Sequence, residues 1–360
     1  MPATRHLRPR ATIADVARHA GVSTATVSRV LNGLGPVAPD TAAAVWAAVA
    51  ELSYAPQAAA RSLARGHTNI LSLLLPQIGN AYFAPLVRGV EAAAREAGFD
   101  LLILTAAQAG RRGVNLRQRI AELNSDGMLV FAHSLDRADL EHLHRLHMPM
   151  VLLLQPPPDG IAIPCVNLRN RRGARSVMEH LIEVHGYRRI AFLRGPAGNS
   201  DSAWREMGYR EALAAHGIAC DESLVATGGF EQAQAMASVE AWLQAGVRPE
   251  AIFAGDDDSA YGAMQAIQRA GLRVPQDIAV VGFDGLDFSQ YLAPPLTTVR
   301  APIEEAGFRG SEQLIELIRT GHTTQEILLP TELVVRQSCG CGPQAQQGSA
   351  CRHSEQGGQL

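Results

Sequence analysis

The chain has 360 residues, of which 47% are hydrophobic and 19% charged. This is the composition of a globular protein and excludes a wholly disordered chain. At about 150 residues per domain, the length predicts two or three structural units. No run of about 18 apolar residues occurs, so the sequence predicts no membrane-spanning helix. Five cysteines without a disulfide-framework spacing, and a start without an apolar signal stretch, favour a cytoplasmic protein.

The formal net charge of −3 conceals an uneven distribution of charge along the chain. Residues 1–67 carry seven arginines and three acidic residues, a balance of +4. Residues 68–360 carry 25 arginines and 32 acidic residues, a balance of −7. A small basic segment joined to a larger acidic one fits a nucleic-acid-binding module attached to a second module.

Residues 12–52 have the pattern of three short helices. Thr12 and Asp15 form a capping box before the first helix, Gly21 suits its end, and Ser23 is a candidate N-cap for the second. Apolar residues recur at helical spacing, namely Ile13, Val16, Ala17, Ala20, Val27, Val30, Leu31, Val45, Trp46, Val49 and Leu52. Two short helices joined at a glycine and braced by a third predict a helix-turn-helix, with a three-helix bundle that binds nothing as the alternative.

In a helix-turn-helix the second helix enters the major groove of DNA. Arg29 could form a bidentate contact with guanine, and Thr24 and Ala25 could offer a hydroxyl and a methyl group to base edges. Other hydroxyl side chains are better placed for phosphates. These predicted phosphate contacts are Thr12, Ser23, Thr26 and Ser28.

Residues 12–33, TIADVARHAGVSTATVSRVLNG, resemble the headpiece of the LacI/GalR (lactose/galactose repressor) family of transcriptional regulators. The resemblance continues through residues 52–66, LSYAPQAAARSLARG, which are similar to the hinge helix of that family. It implies that the hinge helices of two chains pair and insert a leucine from each into the minor groove, which kinks the DNA. The matching residue is Leu63, and Arg61 beside it is a further predicted DNA contact. Ala38 departs from the serine that often caps the third helix in the family.

From residue 69 onward, short apolar runs alternate with amphipathic segments, which predicts parallel sheets with helices on both faces. About a dozen strands fit two doubly wound lobes better than one sheet, and such lobes bind ligands at the carboxyl ends of their strands. Five segments resemble the family's core, which is similar to periplasmic sugar-binding proteins: residues 186–213, 252–264, 272–285, 292–307 and 329–339. The resemblance implies that the chain crosses between lobes near residues 167–171, 298–302 and 328–331.

The predicted fold is an N-terminal all-α helix-turn-helix headpiece plus an α/β periplasmic-binding-protein-like core of two doubly wound parallel-sheet lobes. The predicted boundaries are 1–58 for the headpiece, 59–68 for the hinge helix and linker, 69–338 for the effector-binding and dimerisation core, and 339–360 for a disordered tail. Within the core, the first lobe takes about 69–168 and 300–328, and the second about 169–299 and 329–338.

The resemblance also implies an effector site between the lobes. Its matching residues are Tyr82, Phe83, Asn199, Asp201, Arg205, Phe230, Asp257 and Asp284. Arg205 and Asp284 offer a forked donor and a twin acceptor, although a structural ion pair is the alternative. The aromatic rings, with Trp204 as a further candidate, could stack on a sugar or a base. Asp256 and Gly285 depart from the family pattern, which leaves the ligand open.

Two possible metal sites are set aside at this stage. His144 and His147 lie one helical turn apart without a third ligand at motif spacing, so a solvated helix face is predicted. A partial zinc set falls in a Gly/Gln/Ser-rich segment that is predicted to be a disordered tail. That set is Cys339, Cys341, Cys351 and His353. No catalytic or cofactor-binding motif is found, so the sequence predicts neither an enzyme nor a cofactor.

The sequence therefore predicts a ligand-responsive transcriptional regulator, with a repressor favoured, that binds a pseudo-palindromic operator in double-stranded DNA as a homodimer. The effector is expected to be a small molecule, and a sugar is favoured because sugars are the commonest effectors of the family. One alternative is a cytoplasmic carbohydrate- or nucleoside-binding protein without specific DNA function, which the headpiece disfavours. Another is a sugar-processing enzyme, for which the carboxylates at 256–258 are the only candidates.

Overall fold

The computed structural model describes residues 11–33, 35–54, 67–106 and 125–342. These residues fall into two compact units, one holding those up to Ile70 together with Ser125 and Asp126, and the other holding the rest. The predicted hinge residues Arg61 and Leu63 lie outside the described residues, as does most of the predicted tail. No helix in the described ranges is long and apolar enough to cross a membrane.

The first unit contains three helices with the predicted caps. They are α1 (Ile13–Ala20), α2 (Thr24–Asn32) and α3 (Pro39–Glu51). The Asp15 N–H donates to Thr12 Oγ1 at 3.3 Å, and the Thr12 N–H donates to the Asp15 carboxylate at 2.9 Å, which completes the capping box. Gly21 ends α1 in the left-handed conformation, and Ser23 Oγ accepts the N–H of Thr26 at 3.1 Å. The turn between α1 and α2 is thus set by local sequence.

The three helices close around a small apolar core. Its buried members are Val16, Ala17, Val27, Val45 and Ala48. Trp46, which the helical spacing grouped with these apolar residues, does not belong to the core, because it is 52% exposed. A helix turns about 100° per residue, so Val45 faces the other helices, Trp46 is rotated away, and Ala48 returns to the buried face.

The second unit contains two six-stranded sheets. In chain order the strands are β1 (Ile70–Leu75), β2 (Asp100–Thr105), β3 (Gly127–Phe131), β4 (Met150–Leu153), β5 (Cys165–Leu168), β6 (Ile190–Arg194), β7 (Val225–Thr227), β8 (Ala251–Ala254), β9 (Ala279–Asp284), β10 (Thr297–Arg300), β11 (Glu326–Leu329) and β12 (Glu332–Val334). The first sheet has the order β11-β5-β4-β3-β1-β2, and the second β12-β10-β9-β8-β6-β7. The central strands pair in parallel, whereas the edge strand β12 runs antiparallel to β10. The predicted two parallel-sheet lobes are confirmed, with this one antiparallel edge.

Helices follow most strands and cover both faces of the sheets. They are α4 (Phe83–Ala97), α5 (Arg137–Arg145), α6 (Asn170–Glu179), α7 (Ser200–Ala215), α8 (Gln232–Gln244), α9 (Asp257–Arg269) and α10 (Ile303–Thr320). A π-helical turn, His180–Val184, continues α6. Strand residues such as Leu73, Val130 and Val280 are fully buried, as parallel strands covered on both faces require.

The chain passes between the two sheets three times, after Leu168, after Arg300 and after Leu329. Neither lobe is therefore one continuous stretch of chain. The first sheet is completed by β11, and the second by β12, each added near the end of the chain.

The end of the second unit lies beyond the predicted start of the tail. Cys339 is fully buried. Ser338 Oγ donates to the carbonyl of Val280 at 2.5 Å and accepts the N–H of Thr297 at 2.8 Å. The predicted boundary at 339 is thus too early, because the Gly/Gln-rich composition that suggested a tail applies only to the residues after these contacts.

Helices α4 and α10 approach each other closely at two glycines. A Cβ on Gly89 would lie 1.9 Å from the carbonyl oxygen of Glu304, and one on Gly307 would lie 2.4 Å from that of Leu86.

We predict that Gly89→Ala lowers the free energy of unfolding by about 1–3 kcal/mol through overpacking, although alanine is the better helix former by about 1 kcal/mol. Chemical denaturation measures the change. Gly79→Ala, whose Cβ would meet no atom within 4 Å, is the control. An unchanged midpoint for Gly89→Ala would contradict the close packing.

Candidate functional site

The outward face of α2 carries the side chains predicted to read bases. Thr24, Ala25 and Arg29 are exposed, whereas Val27 on the opposite face is buried. Ala25 and Arg29 lie four residues apart and are therefore neighbours on one helix surface. The predicted phosphate contacts lie at the helix starts and along α2: Thr12 and Ser23 are N-caps, and Thr26 and Ser28 are half-buried. The arrangement presents a cation, Arg29, beside the small side chain of Ala25 on one face, and an exposed hydroxyl, Thr24, at the start of the helix.

A cavity of about 390 Å³ lies between the two lobes of the second unit, within the range of small-molecule sites, about 300–1,000 Å³. The residues around it follow β1 and β3 in the first lobe, and end or follow β6, β7, β8 and β9 in the second. It therefore lies at the carboxyl ends of the strands, where doubly wound sheets bind ligands. Seven of the predicted effector residues line it: Tyr82, Phe83, Asn199, Asp201, Arg205, Phe230 and Asp284.

The eighth predicted residue, Asp257, is placed outside this lining. It is fully buried and accepts hydrogen bonds from Thr298 Oγ1 at 2.6 Å and from the N–H of Leu286 at 2.7 Å. Its neighbour Asp256 lines the cleft and caps α9, accepting the N–H of Ser259 at 3.1 Å. Adjacent residues at a helix start face different directions, and the acidic run alone does not show which one faces the ligand.

Trp204 is also placed away from the cleft. It lies in a separate surface depression with Met207 and Leu328. Trp204 precedes Arg205 on α7, and the turn of about 100° per residue points the two side chains to different sides.

Arg205 is the centre of the cleft's polar network, with 2% of its surface exposed. Its Nε donates to Asn170 Oδ1 at 2.9 Å, its Nη1 donates to the carbonyl of Gly255 at 2.5 Å, and its Nη2 lies 2.9 Å from Asp284 Oδ1. The ring centroid of Phe283 lies 3.8 Å from the guanidinium carbon, a cation–π contact. The ion pair considered from sequence exists, and both of its members also line the cleft.

Three carboxyl groups surround this one guanidinium. Burial raises the pKa of Asp201 to about 7 even though Arg205 opposes the rise. Burial, with the negative charge of Asp284 beside it, raises the pKa of Asp256 to about 7. Burial likewise raises the pKa of Asp284 and of the Tyr82 phenol. Near neutral pH the cleft thus holds carboxyl groups that accept or donate hydrogen bonds according to their protonation.

Three lining residues have left-handed backbone conformations that are unusual for side-chain-bearing residues. The φ angles are +60° at His133, +58° at Phe230 and +100° at Asp284. Each costs about 1–3 kcal/mol, and such strain clusters at binding sites. The Phe230 ring also fills the space beside Gly195, where a Cβ would lie 2.3 Å from the ring. The fold therefore holds these side chains in the cleft at a cost in stability.

Several lining residues were not found from the sequence. They are Gln77, Asn80, Phe131, His133 and Glu231. Asn80 lies near Asp258 of the other lobe and opposes the rise that burial gives to the pKa of that carboxyl group, and its Oδ1 accepts the N–H of Tyr82 at 2.8 Å. Their position in the sequence could have identified them, because each of these residues lies at or after the carboxyl end of a strand.

Asn170 was also missed, although it joins two members of the site. Besides accepting from Arg205, it donates to Asp201 Oδ1 at 2.8 Å. Asn170 begins α6, directly after the first crossing of the chain between the lobes. The polar network of the cleft thus reaches the connection between the lobes.

Comparison with known proteins gives two family matches. Residues 12–57 match the family described as bacterial regulatory proteins, lacI family, and residues 178–339 match a periplasmic binding protein-like domain. The chain is 35% identical over 328 residues to the ribose operon repressor of Halalkalibacterium halodurans, which covers 91% of this chain and 96% of that protein. It is 34% identical over 330 residues to the HTH-type transcriptional repressor PurR of Aliivibrio salmonicida, with 91% and 98% covered.

Among solved structures, the chain resembles the lac repressor dimer bound to operator and the anti-inducer ONPF. The two share 28% identity with a TM-score of 0.79, over 91% of this chain and 99% of that one. The matches thus span both the helix-turn-helix and the two-lobed unit. This chain belongs to the lacI family of bacterial regulatory proteins and is a DNA-binding transcriptional regulator that responds to a ligand.

Proposed function

We propose that this regulator is a repressor that binds a pseudo-palindromic operator as a homodimer, and that a small polyhydroxylated molecule of the sugar class in the cleft switches its affinity for DNA. The observation that carries the proposal is that one chain holds both an exposed α2 face and a cleft with a buried, multiply bonded Arg205 at strand carboxyl ends. Its target is DNA, so we place it in the cytoplasm.

The DNA half of the proposal rests on the face of α2. Arg29 offers paired N–H donors that fit guanine O6 and N7, and Thr24 and Ala25 lie toward the start of the same helix. We also propose that Arg61 and Leu63 act in a hinge helix, with Leu63 inserted into the minor groove. A two-fold dimer would place two such headpieces on symmetric half-sites.

Arg29→Ala tests this half. The probe is a duplex selected from a random pool by the wild-type protein, compared with a scrambled duplex at several salt concentrations. Loss of one bidentate base contact should weaken binding to the selected duplex by about 1–3 kcal/mol and change binding to the scrambled duplex little. Arg18→Ala, which removes an equal charge from the exposed surface of α1, is the control and should retain discrimination. Equal weakening on both duplexes would refute base reading by Arg29.

The effector half rests on the chemistry of the cleft. Carboxylates at Asp201, Asp256 and Asp284 accept hydrogen bonds from hydroxyl groups. Arg205, Asn170 and the N–H of Ser259 hold Asp284, Asp201 and Asp256 respectively. The Phe230 ring at the lining offers an apolar face on which a sugar ring could stack. A mostly apolar cavity with a few fixed polar groups is the usual form of a small-molecule site.

A thermal-shift screen against sugars, sugar phosphates, nucleosides and nucleobases tests the proposed effector binding, because a ligand of the folded state raises the melting temperature.

Two variants test where the compound binds. Asp256→Asn keeps the α9 cap, so the protein should keep its stability but lose most of the rise in melting temperature given by the best compound. Asp257→Asn should lower stability by about 1–3 kcal/mol and retain the shift, because it disrupts buried hydrogen bonds outside the cleft. The reverse pattern would place the ligand elsewhere. DNA binding with and without the compound then separates an inducer from a corepressor.

Asn170 supplies a physical connection for the switch. It bonds to two cleft residues and lies directly after a lobe crossing, so a ligand that reorders Arg205 and Asp201 also acts on the connection between lobes. The ligand shifts the balance of two conformations only by its differential affinity for them.

The raised pKa values predict that effector binding depends on pH. Hydroxyl donors favour the ionised carboxylate, so ligand binding should lower the pKa of Asp201 and Asp256 from about 7 and release protons. Affinity should therefore rise as the pH increases toward about 7, by up to about tenfold per pH unit for each group, and level off at higher pH, where the carboxyl groups of the free protein are already ionised. Titration calorimetry in two buffers of different ionisation enthalpy measures both effects. Asp201→Asn should reduce the dependence and the number of protons released, and affinity that falls with rising pH would contradict it.

We propose no catalytic role for the carboxylates at 256–258. Asp257 is engaged by Thr298 and Leu286, and Asp256 caps α9. The alternative of a binding protein without specific DNA function is disfavoured by the exposed α2 face.

A further inference from the structure

Two histidines at the end of α6 meet two cysteines at the last described turn of the chain. His180 Nε2 lies 3.3 Å from His185 Nε2 and 3.5 Å from Cys339 Sγ. Cys341 Sγ lies 3.6 Å from His180 Nε2 and 3.4 Å from His185 Nε2. All four donor atoms lie within 4.8 Å of one another, and no other His/Cys/Asp/Glu cluster of this kind occurs among the described residues.

Four of the six separations match the edges of a tetrahedron around a zinc ion, and the other two, which both involve Cys339, are within 4.8 Å. With Zn–N bonds of about 2.0–2.1 Å and Zn–S bonds of about 2.3 Å, tetrahedral angles place two nitrogens about 3.3 Å apart and a nitrogen and a sulfur about 3.5 Å apart. The four distances given above differ from these values by about 0.1 Å or less. A single ion at the centre would contact all four donors.

Local backbone conformation brings the histidines together. Residues five apart in an α-helix are rotated by about 140° and face different sides. The π-helical turn His180–Val184 has the wider winding of i→i+5 hydrogen bonds, which returns residue 185 to the side of residue 180. The two imidazole rings meet edge to face, with centroids 5.0 Å apart.

Gly340 allows the chain to turn so that the two cysteines face the two histidines. Gly340 has φ +111°, and a Cβ there would lie 3.2 Å from Tyr187 Oη and 3.3 Å from His185 Cε1. The chain therefore turns against the histidines between the two cysteines, in a conformation that L residues rarely adopt.

Neighbouring groups support the donors as an outer shell does in metal sites. Thr297 Oγ1 donates to Cys339 Sγ at 3.2 Å, and Tyr187 Oη donates to the Cys339 carbonyl at 3.3 Å. The Tyr187 ring stacks on the His185 ring at 5.4 Å. Cys339 is buried while the other three donors are half-buried, so an ion has a path from solvent.

We propose that His180, His185, Cys339 and Cys341 bind one structural zinc ion. Two thiolates and two imidazoles in a tetrahedron are a donor set typical of structural zinc, and four protein ligands leave no open position for catalysis. Of the residues that the sequence grouped as a partial zinc set, Cys339 and Cys341 belong to this site, and the histidines come from the far end of α6.

The zinc site lies at the opposite edge of the second sheet from the effector cleft. Residue 338 bonds to Val280 near the start of β9, whereas Asp284 ends β9 in the cleft, about 13 Å away along the strand. The ion would join the segment after β12 to the end of α6, both in the second lobe. Its role is to stabilise the second lobe, independently of the effector.

The test uses the full chain, purified without a polyhistidine tag and with its thiols reduced. Elemental analysis after exhaustive dialysis should find one zinc ion per chain. Chelation should lower the melting temperature, and added Zn²⁺, but not Mg²⁺, should restore it. Replacement by Co²⁺ should give the intense visible absorption of tetrahedral cobalt together with thiolate-to-cobalt charge-transfer bands.

Matched variants locate the donors. Cys341→Ser and His185→Ala, both at half-buried positions, should reduce bound zinc to background. Cys220→Ser and His144→Ala remove the same side-chain types elsewhere and should retain full zinc content. Cys351→Ser/His353→Ala tests the zinc set suggested by the sequence and should also retain zinc.

Two results would overturn the proposal. One is wild-type protein with reduced thiols that holds no zinc and gives no tetrahedral cobalt spectrum. The other is zinc that persists in Cys341→Ser and His185→Ala but is lost from Cys351→Ser/His353→Ala. The cobalt spectrum is recorded on the wild-type chain, so the outcome remains decisive even if a variant fails to fold.

Discussion

The buried guanidinium of Arg205 is the interaction on which the two-lobed unit depends. A fully desolvated charge is costly unless it is paired and hydrogen-bonded. Arg205 meets that requirement with an amide oxygen from α6, a carbonyl that follows β8 and a carboxylate that ends β9. It therefore connects three separate parts of the second lobe, and the same bonds place acceptors around an open cavity. Stability and ligand chemistry here share one set of atoms.

Charge in the cleft is also unbalanced, and this shapes what it can bind. One guanidinium faces three carboxyl groups, so burial leaves two of them near half-protonation at neutral pH. A ligand rich in hydroxyl groups relieves this penalty by donating hydrogen bonds, whereas an anionic ligand would add to it. The electrostatics of the cleft thus favour neutral polar molecules.

Much of this architecture could be predicted from the sequence, and the reasons for the exceptions are physical. Local signals such as the capping box at Thr12 and the left-handed Gly21 set the helix-turn-helix, and alternating strands and helices predict two doubly wound lobes. The direction in which a single helical side chain points was harder to predict from the sequence, because each step of one residue along a helix rotates the side chain by about 100°. That rotation separates Trp46 from Val45 and Trp204 from Arg205. Contacts between distant segments, such as those of Asn170 with Arg205 and of His180 with Cys339, produce no periodic pattern in the sequence and so could not be predicted from it.

The threefold passage of the chain between the lobes has a consequence for biosynthesis. The first sheet is finished only when β11 pairs with β5, and the second only when β12 pairs with β10. A nascent chain on the ribosome has therefore made nearly every residue of both lobes before either sheet can close its edge. Until then β5 presents unpaired backbone groups of the kind that recruit other strands, and pairing between such distant segments is slow. Residues 326–342, which contain β11 and β12, thus decide when the newly made protein ceases to be prone to aggregation.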